Sequence, residues 1–162
     1  ERCIEMMATA GFAQYEVSAY SQPGKQCAHN LNYWRFGDYL GIGAGAHGKI
    51  SSGATGDILR RWKVKNPRDY LAMAASEKRI GGDDPITMES RAFDYMLNAL
   101  RLVEGFSLVD FEARSGLDRG SIAGKLDHAK LMGWLEQDGE HLRPTELGRR
   151  FTNDVVSLFL PD

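Results

Sequence analysis

The sequence is poor in cysteine: Cys3 and Cys27 are the only thiols among its 162 residues. Two cysteines cannot form the disulfide framework that holds many small secreted proteins together. Reduced thiols are instead the ordinary state in the cytoplasm. The cysteine content therefore predicts a cytoplasmic protein that does not depend on disulfide bonds.

Long apolar runs are missing as well. No stretch approaches the roughly 18 consecutive apolar residues that a membrane helix needs. Glu1 opens directly into a helical pattern, without the charged leader and apolar block of a signal peptide. We expect no transmembrane segment and no signal peptide. Since the chain does not begin with Met, we also expect it to be part of a longer protein.

Several signatures of well-known sites are absent. The sequence contains neither CxxC nor HxxxH, which argues against a structural zinc, and it has no GxSxG of a hydrolase. The segment Gly43–Gly48 fits GxGxxG, but turn-forming and strand-forming residues follow it where a nucleotide site needs a helix N-terminus. Its small residues either let another backbone approach closely or face a ligand.

The spacing of apolar residues predicts an α+β protein with a boundary near residue 80. Residues 1–80 alternate short helices with short strands, including a strand at 14–20 and a buried strand at 38–43. The segment 81–86, with two glycines, two acids and a proline, predicts a linker. Residues 87–162 follow the order helix, helix, helix, hairpin, helix, which is that of a winged-helix unit.

The local signals in the C-terminal part are the clearest in the chain. Thr87 is expected to cap a helix that extends to residue 103, and three later polar residues are expected to cap the helices that follow. Asp138-Gly139 is a strong hairpin turn. The three later caps are Ser107, Asp118 and Thr145.

The charge of the C-terminal part argues against nucleic acid as a partner. From Ile86 onward there are nine basic and thirteen acidic residues, a net charge of −4, which leaves +2 of the total −2 for the rest of the chain. The predicted wing tip, residues 137–140, carries two acids. Because a phosphate-binding module needs a basic surface, we expect this unit not to read DNA.

The densest chemical cluster lies at residues 27–34. If the segment is helical, His29 and Tyr33, which are four residues apart, lie on one face of the helix. Cys27 lies two residues before His29. Imidazole, phenolate and thiolate are all axial ligands of heme iron, and Tyr33 and Trp34 offer flat apolar surface. On the residues alone, the alternative is a surface histidine beside ordinary aromatic packing.

One family combines these features. The order Tyr15-Glu16-x-Ser18-x-Tyr20, Pro23-Gly24, His29-Asn30-x-x-Tyr33-Trp34 and Asp38 to His47 resembles the oxygen-independent coproporphyrinogen III oxidase family. The presence of HNxxYW brings the sequence nearest to the heme-chaperone branch, HemW. The predicted helix that begins at Thr145-Glu146-x-Gly148 also resembles part of the closing domain of that family. The resemblance covers nearly the whole chain.

The resemblance implies the last strands and helices of a radical-SAM partial barrel at 1–80 and a small winged-helix-like domain at 87–162. It implies a heme chaperone that delivers heme to acceptor proteins; the alternative is an oxidase acting in porphyrin biosynthesis. The family's [4Fe-4S] cluster and S-adenosylmethionine depend on a CxxxCxxC motif that is absent here, so this segment alone is expected to hold no cofactor and to be inactive. The implied heme-binding residues are Cys27, His29, Asn30, Tyr33 and Trp34, and the implied cofactor-proximal residues are Gly41, Gly43, Ala44 and Gly45.

Overall fold

The structure is a computed structural model that describes residues 2–161. Short helices and antiparallel strands alternate along the chain, which confirms the predicted α+β class. The chain forms two compact units. One unit joins the residues up to Phe36 with those from Glu89 onward, and the other comprises Gly37–Met88.

The N-terminal part of the first unit is a helix, a hairpin and a second helix. The hairpin is irregular, because its register shifts between Gln14 and Glu16. Residues 14–20, predicted as one strand, therefore contain two strands and the turn between them. The elements are α1 (Arg2–Thr9), β1 (Ala13–Glu16), β2 (Ala19–Ser21) and α2 (Ala28–Trp34).

The C-terminal part of the first unit has the predicted order of helices and hairpin. Two of the predicted caps hold: the Ser107 hydroxyl accepts a hydrogen bond from the Val109 amide at 3.1 Å, and that of Thr145 accepts one from the Gly148 amide at 3.0 Å. The predicted cap at Thr87 is wrong, because Ser90 precedes the helix there and makes no capping hydrogen bond through its side chain. The elements are α4 (Arg91–Ala99), β6 (Phe106–Ser107), α5 (Leu108–Ser115), α6 (Ala123–Leu131), β7 (Leu135–Asp138), β8 (His141–Pro144), α7 (Glu146–Arg150) and α8 (Thr152–Ser157).

Two boundaries in this part differ from the prediction. The helix expected from Thr87 to residue 103 is shorter, because residues 88–90 form a turn and α4 begins only at Arg91. Asp118 caps a 3-10 turn, Arg119–Ile122, that leads into α6. Both differences shorten helices at their ends, where local sequence signals are least decisive.

A core of aromatic rings fills the first unit. Tyr95 of α4 lies at its centre, with its ring centroid 5.1 Å from that of Phe111, 5.7 Å from that of Phe106 and 5.4 Å from that of Phe36. The three-stranded sheet, in the order β6-β8-β7, closes one side, with Leu142 of β8 fully buried. This core joins α4, α5 and the end of α2 into one unit.

The second unit is built on a three-stranded antiparallel sheet in the order β3-β4-β5. One short α-helix lies between β4 and β5 in the sequence. Arg61 of β4 makes a two-pronged ion pair with Asp83 of β5, at 2.6 and 2.7 Å. The Asn66 side chain caps the helix by accepting from the Arg68 amide at 2.9 Å. The elements are β3 (His47–Ser51), β4 (Ile58–Lys63), α3 (Pro67–Ala72) and β5 (Ile80–Ile86).

The segment 81–86 is most of strand β5, not a linker. Gly81 and Gly82 are needed there for space, because a Cβ on either residue would press into the ring of Trp62. The glycines that suggested a flexible joint therefore make room for a cross-strand side chain. The assignment of residues 1–80 to the end of a radical-SAM barrel and of residues 87–162 to a winged-helix-like domain stays a prediction.

The segment 38–43 is not the buried strand that its sequence predicted. Only Tyr39 pairs, through two backbone hydrogen bonds to Lys49 of 2.9 and 3.0 Å. Leu40 and Ile42 are 76% and 88% exposed. Gly43, at a φ of 107°, turns the backbone away from an extended path. Among residues 2–161, no sheet closes into a barrel.

No helix within residues 2–161 has the length and apolar character needed to span a bilayer.

Candidate functional site

Helix α2 is present where the sequence predicted it, and it separates the candidate residues by face. His29 and Tyr33 lie one turn apart on the same face; His29 is exposed and Tyr33 is half-buried. Cys27 precedes the helix as its N-cap residue, is exposed, and makes no capping hydrogen bond through its sulfur. The three candidate iron ligands are thus on or beside one two-turn helix, and two of them are open to solvent.

Asn30 has a structural partner. Its amide nitrogen donates a hydrogen bond to the Tyr15 hydroxyl at 3.1 Å, which ties α2 to the β1–β2 hairpin. Both residues belong to motifs that carry the family resemblance. The structure therefore brings together two motifs that are fifteen residues apart in sequence.

Trp34 is held between two neighbours. The rings of Tyr33 and Trp34 pack edge to face, with centroids 4.7 Å apart and an interplanar angle of 89°. The guanidinium of Arg101 lies over the Trp34 ring, 4.3 Å from its centroid. The indole nitrogen is buried and has no hydrogen-bond acceptor among residues 2–161. These contacts fix the C-terminal end of α2.

Arg101 connects Trp34 to a buried carboxylate. Its guanidinium pairs with Glu16 at 3.3 Å, and the Glu16 side chain is only 2% exposed. The other Glu16 oxygen accepts hydrogen bonds from the Ser18 amide at 2.8 Å and from the Ser18 hydroxyl at 2.7 Å. A buried carboxylate with three donors is well compensated. Glu16 and Ser18, two residues of the motif that carries the family resemblance, thus hold Arg101 in place beside Trp34.

Sequence reasoning did not identify Tyr15, Glu16 and Arg101 as part of this site. Tyr15 and Glu16 were visible as members of the resemblance, which is the signal that could have found them. Arg101 carries no such signal, because it stands 85 residues after Glu16 in an ordinary helical sequence.

The candidate glycines lie in the second unit, in the loop before β3. A Cβ on Gly41 would collide with the backbone carbonyl of His47. Gly43 and Gly45 have φ angles of 107° and 69°, which other residues rarely adopt. Ala44 lies between them and is half-buried. These observations support the interpretation in which small residues serve the loop's own backbone, and the cofactor-facing role stays a prediction.

The described residues contain no group of three or more His, Cys, Asp or Glu side chains that could hold a metal ion. Cys3 and Cys27 are both free and exposed. A cluster held by three thiolates therefore has no site in residues 2–161. The ring of His47 stacks with the ring of Trp62, at a centroid distance of 6.3 Å.

The basic side chains that a winged-helix unit would offer to DNA are largely engaged within the protein. Arg119 forms an ion pair with Glu140 at the wing tip, and the Lys125 amine donates a hydrogen bond to the carbonyl of Leu160 at 3.1 Å. Paired cations are poor partners for phosphates. Further ion pairs are Arg119–Glu112 at 2.7 Å, Lys130–Asp127 at 2.8 Å, Arg143–Glu136 at 2.6 Å and Arg150–Glu146 at 2.8 Å.

Comparison with known proteins gives a consistent result. Residues 86–151 match the HemN C-terminal domain family. The chain is 39% identical to the heme chaperone HemW of Escherichia coli K12, over 100% of this chain and 42% of that protein. It is also 39% identical to HemW of Haemophilus influenzae, over 100% and 41% of the two chains. HemW of Mycobacterium tuberculosis H37Rv is 33% identical over 95% and 36%.

Among solved structures, the chain is similar to the coproporphyrinogen III oxidase HemN of Escherichia coli, which is described as a radical SAM enzyme. The TM-score is 0.66 at 15% identity, over 98% of this chain and 39% of that one. An identity this low establishes the shared fold alone. The chain spans about two fifths of the length of the HemW proteins above.

Proposed function

We propose that this chain, which matches the HemN C-terminal domain family at residues 86–151 and HemW proteins along its whole length, is the C-terminal part of a heme chaperone. In this proposal the protein binds heme through helix α2 and passes it to acceptor proteins. The observation that carries the proposal is an exposed histidine, His29, one turn from Tyr33 on a helix whose other faces are anchored.

His29 is the proposed iron ligand. A neutral imidazole coordinates both ferric and ferrous heme without first losing a proton. His29 is exposed, and no described residue holds its ring in a hydrogen bond. Its side chain can therefore turn toward an incoming ring without breaking a contact.

Tyr33 and Cys27 are the alternative ligands. Each must lose a proton to bind iron well, which costs free energy at neutral pH. Asn30 and Trp34 support the site in a different way. Their contacts with Tyr15 and Arg101 hold α2 in place, so that the ligand and the aromatic surface keep their relative positions.

The iron-sulfur cluster and S-adenosylmethionine of the family are assigned no residue of this chain. The cluster needs three positioned thiolates, whereas Cys3 and Cys27 are exposed and number only two. Any radical chemistry of the whole protein would depend on residues other than these 162. The oxidase alternative is supported here by the shared fold alone. The two unpaired thiols support a cytoplasmic location.

The test is a heme titration of the protein at its natural length, followed by the Soret band. The variants are His29→Ala, Tyr33→Phe and Cys27→Ser. The matched control is His128→Ala, which removes an exposed histidine from a different helix, α6. We expect His29→Ala to lose the Soret shift and the other three proteins to keep it.

Other outcomes have distinct meanings. A changed Soret band in Cys27→Ser, with His29→Ala unchanged, would move the ligand to the thiolate. A loss in Tyr33→Phe alone would move it to the phenolate. If all variants bind heme like the wild type, the HNxxYW segment serves packing and heme binds elsewhere.

A further inference from the structure

A pocket of about 420 Å³ opens in the first unit beside Trp34. Its apolar surface comes from Trp34, Tyr95, Leu102 and Phe106, and its rim includes Arg35 and Arg114. The volume falls within the range of roughly 300–1,000 Å³ that is usual for small-molecule sites. Trp34 is partly exposed and offers ring surface to the pocket, whereas Tyr95 and Phe106 are almost fully buried.

Tyr95 is the unusual polar residue of this pocket. It is 1% exposed, and no hydrogen bond joins its hydroxyl to another described residue. Burial and the nearby charge of Asp110 raise the pKa of Tyr95 above its ordinary value, while Arg114 acts in the opposite direction. The hydroxyl therefore stays protonated and can donate a hydrogen bond.

The two arginines of the rim differ. Arg35 is already paired with Glu104 at 2.6 Å, and the ring of His141 contacts the Glu104 carbonyl at 2.6 Å. Arg114 has no ion pair or hydrogen bond through its side chain among residues 2–161. Its guanidinium is free to bind an anion at the mouth of the pocket. Asp110, four residues earlier on α5, opposes an anion there.

We propose that this pocket holds the carboxylate-bearing edge of a tetrapyrrole, with Arg114 pairing with a propionate, Tyr95 donating to it, and the ring lying against the exposed part of Trp34. A flat apolar ring with a carboxylate matches Trp34, Tyr95 and Arg114, while Asp110 opposes the carboxylate. The inference rests on the proposed function, because it takes heme as the cargo. It adds a recognition site that the iron ligand does not supply.

The pocket recognises the ring by its side groups and not by its metal. In a regular helix, Trp34 and His29 are about 140° apart, at roughly 100° per residue, so the pocket lies on a different face of α2 from the proposed iron ligand. Binding in the pocket should therefore not require iron. This separates the inference from the coordination of iron by His29.

The experiment titrates two metal-free probes, protoporphyrin IX and its dimethyl ester, into the protein at its natural length and follows porphyrin fluorescence. We expect the wild type to bind the diacid more tightly than the ester. Arg114→Gln should weaken diacid binding about tenfold and leave ester binding unchanged. Asp110→Asn should instead tighten diacid binding, because it removes the opposing charge.

Two further variants guard against trivial explanations. Tyr95→Phe should also weaken diacid binding selectively, with circular dichroism checking that the core is intact. Arg68→Gln, which removes an exposed arginine of the second unit, should have no effect.

Loss of diacid and ester binding to the same degree in Arg114→Gln would overturn the inference, as would no loss of either. Absence of protoporphyrin binding to the wild type would also overturn it. All three results leave the proposed function intact if heme still gives a Soret shift that depends on His29. Failure of that shift, with selective diacid binding preserved, would instead reject His29 as the ligand and keep the pocket.

Discussion

The guanidinium of Arg101 lies 4.3 Å from the centroid of the Trp34 ring and joins the end of helix α2 to the segment that follows α4. The same guanidinium pairs with Glu16 of strand β1 at 3.3 Å. Three distant parts of the sequence therefore meet at one charged side chain. Because the proposed heme-binding residues lie on α2, the stability of this junction determines how firmly that helix is held.

Replacing Arg101 with alanine should destabilise the first unit. The substitution leaves the Glu16 carboxylate, which is 2% exposed, without its ion-pair partner. Loss of one partner of a buried pair costs roughly 3–5 kcal/mol, and we expect about 2–3 kcal/mol because Arg101 itself is partly exposed. Urea unfolding followed by far-UV circular dichroism measures the loss. Arg101→Lys, which keeps the charge, should lose less; an alanine variant as stable as the wild type would contradict the prediction.

The features predictable from the sequence are those specified within a few residues. Ser107 and Thr145 cap helices because their hydroxyls meet amides two or three residues later. The Asp138-Gly139 turn works for the same reason, with Gly139 at a φ of 56°. Such signals do not depend on the rest of the fold.

The features that sequence missed depend on distant partners. Gly81 and Gly82 suggested a linker, and only the Trp62 ring on the neighbouring strand explains them. Leu40 and Ile42 suggested a buried strand, but burial needs a neighbouring surface, and within residues 2–161 only Tyr39 of that segment pairs. The same distinction applies to the candidate site. The pattern His29-x-x-x-Tyr33 predicted a shared helical face, whereas nothing in the sequence near Arg101 predicted its contact with Trp34.

Acid should weaken the fold partly through Glu112. Hydrogen bonds from the Arg119 guanidinium and amide lower the pKa of Glu112 from its ordinary 4.5 to about 2. A lowered pKa in the folded state contributes stability above pH 4.5, and this contribution is lost as the pH falls from about 4.5 toward 2. The melting temperature of Glu112→Gln should therefore fall less steeply than that of the wild type across this window.

The control for this effect is Glu89→Gln, an exposed glutamate for which the steepness should not change. Because the Glu112–Arg119 pair is open to solvent, added salt should reduce the difference between wild type and Glu112→Gln. Identical pH profiles for wild type and Glu112→Gln at low salt would show that the pair contributes nothing measurable.

Duplex DNA should bind poorly to this chain. The residues from Ile86 onward carry a net charge of −4, and the arginines near the wing are already paired with glutamates. Few counterions would be released on binding, so we expect a Kd weaker than about 1 µM even at low salt. Fluorescence anisotropy with a random duplex measures it. Tight binding that falls steeply with added salt would reveal phosphate contacts and reverse this interpretation.

Gly105 and Gly133 provide a matched pair for testing how tightly the C-terminal sheet packs. Both have left-handed backbone angles, with φ of 78° and 70°. A methyl group at Gly133 would meet nothing within 4 Å, whereas one at Gly105 would collide with the carbonyl of Leu142 on strand β8. Gly133→Ala should therefore cost only the backbone strain, about 1 kcal/mol.

Gly105→Ala adds a steric clash to the same strain. The collision falls on backbone that is paired in the sheet, where Phe106 is opposite Leu142, so the neighbour cannot move aside without breaking hydrogen bonds. We expect a loss of about 3 kcal/mol or more, measured as the free energy of unfolding in urea. Equal losses in the two alanine variants would mean that β6 and β8 can separate at little cost, and that the pocket beside Phe106 and Gly105 is less rigid than its contacts indicate.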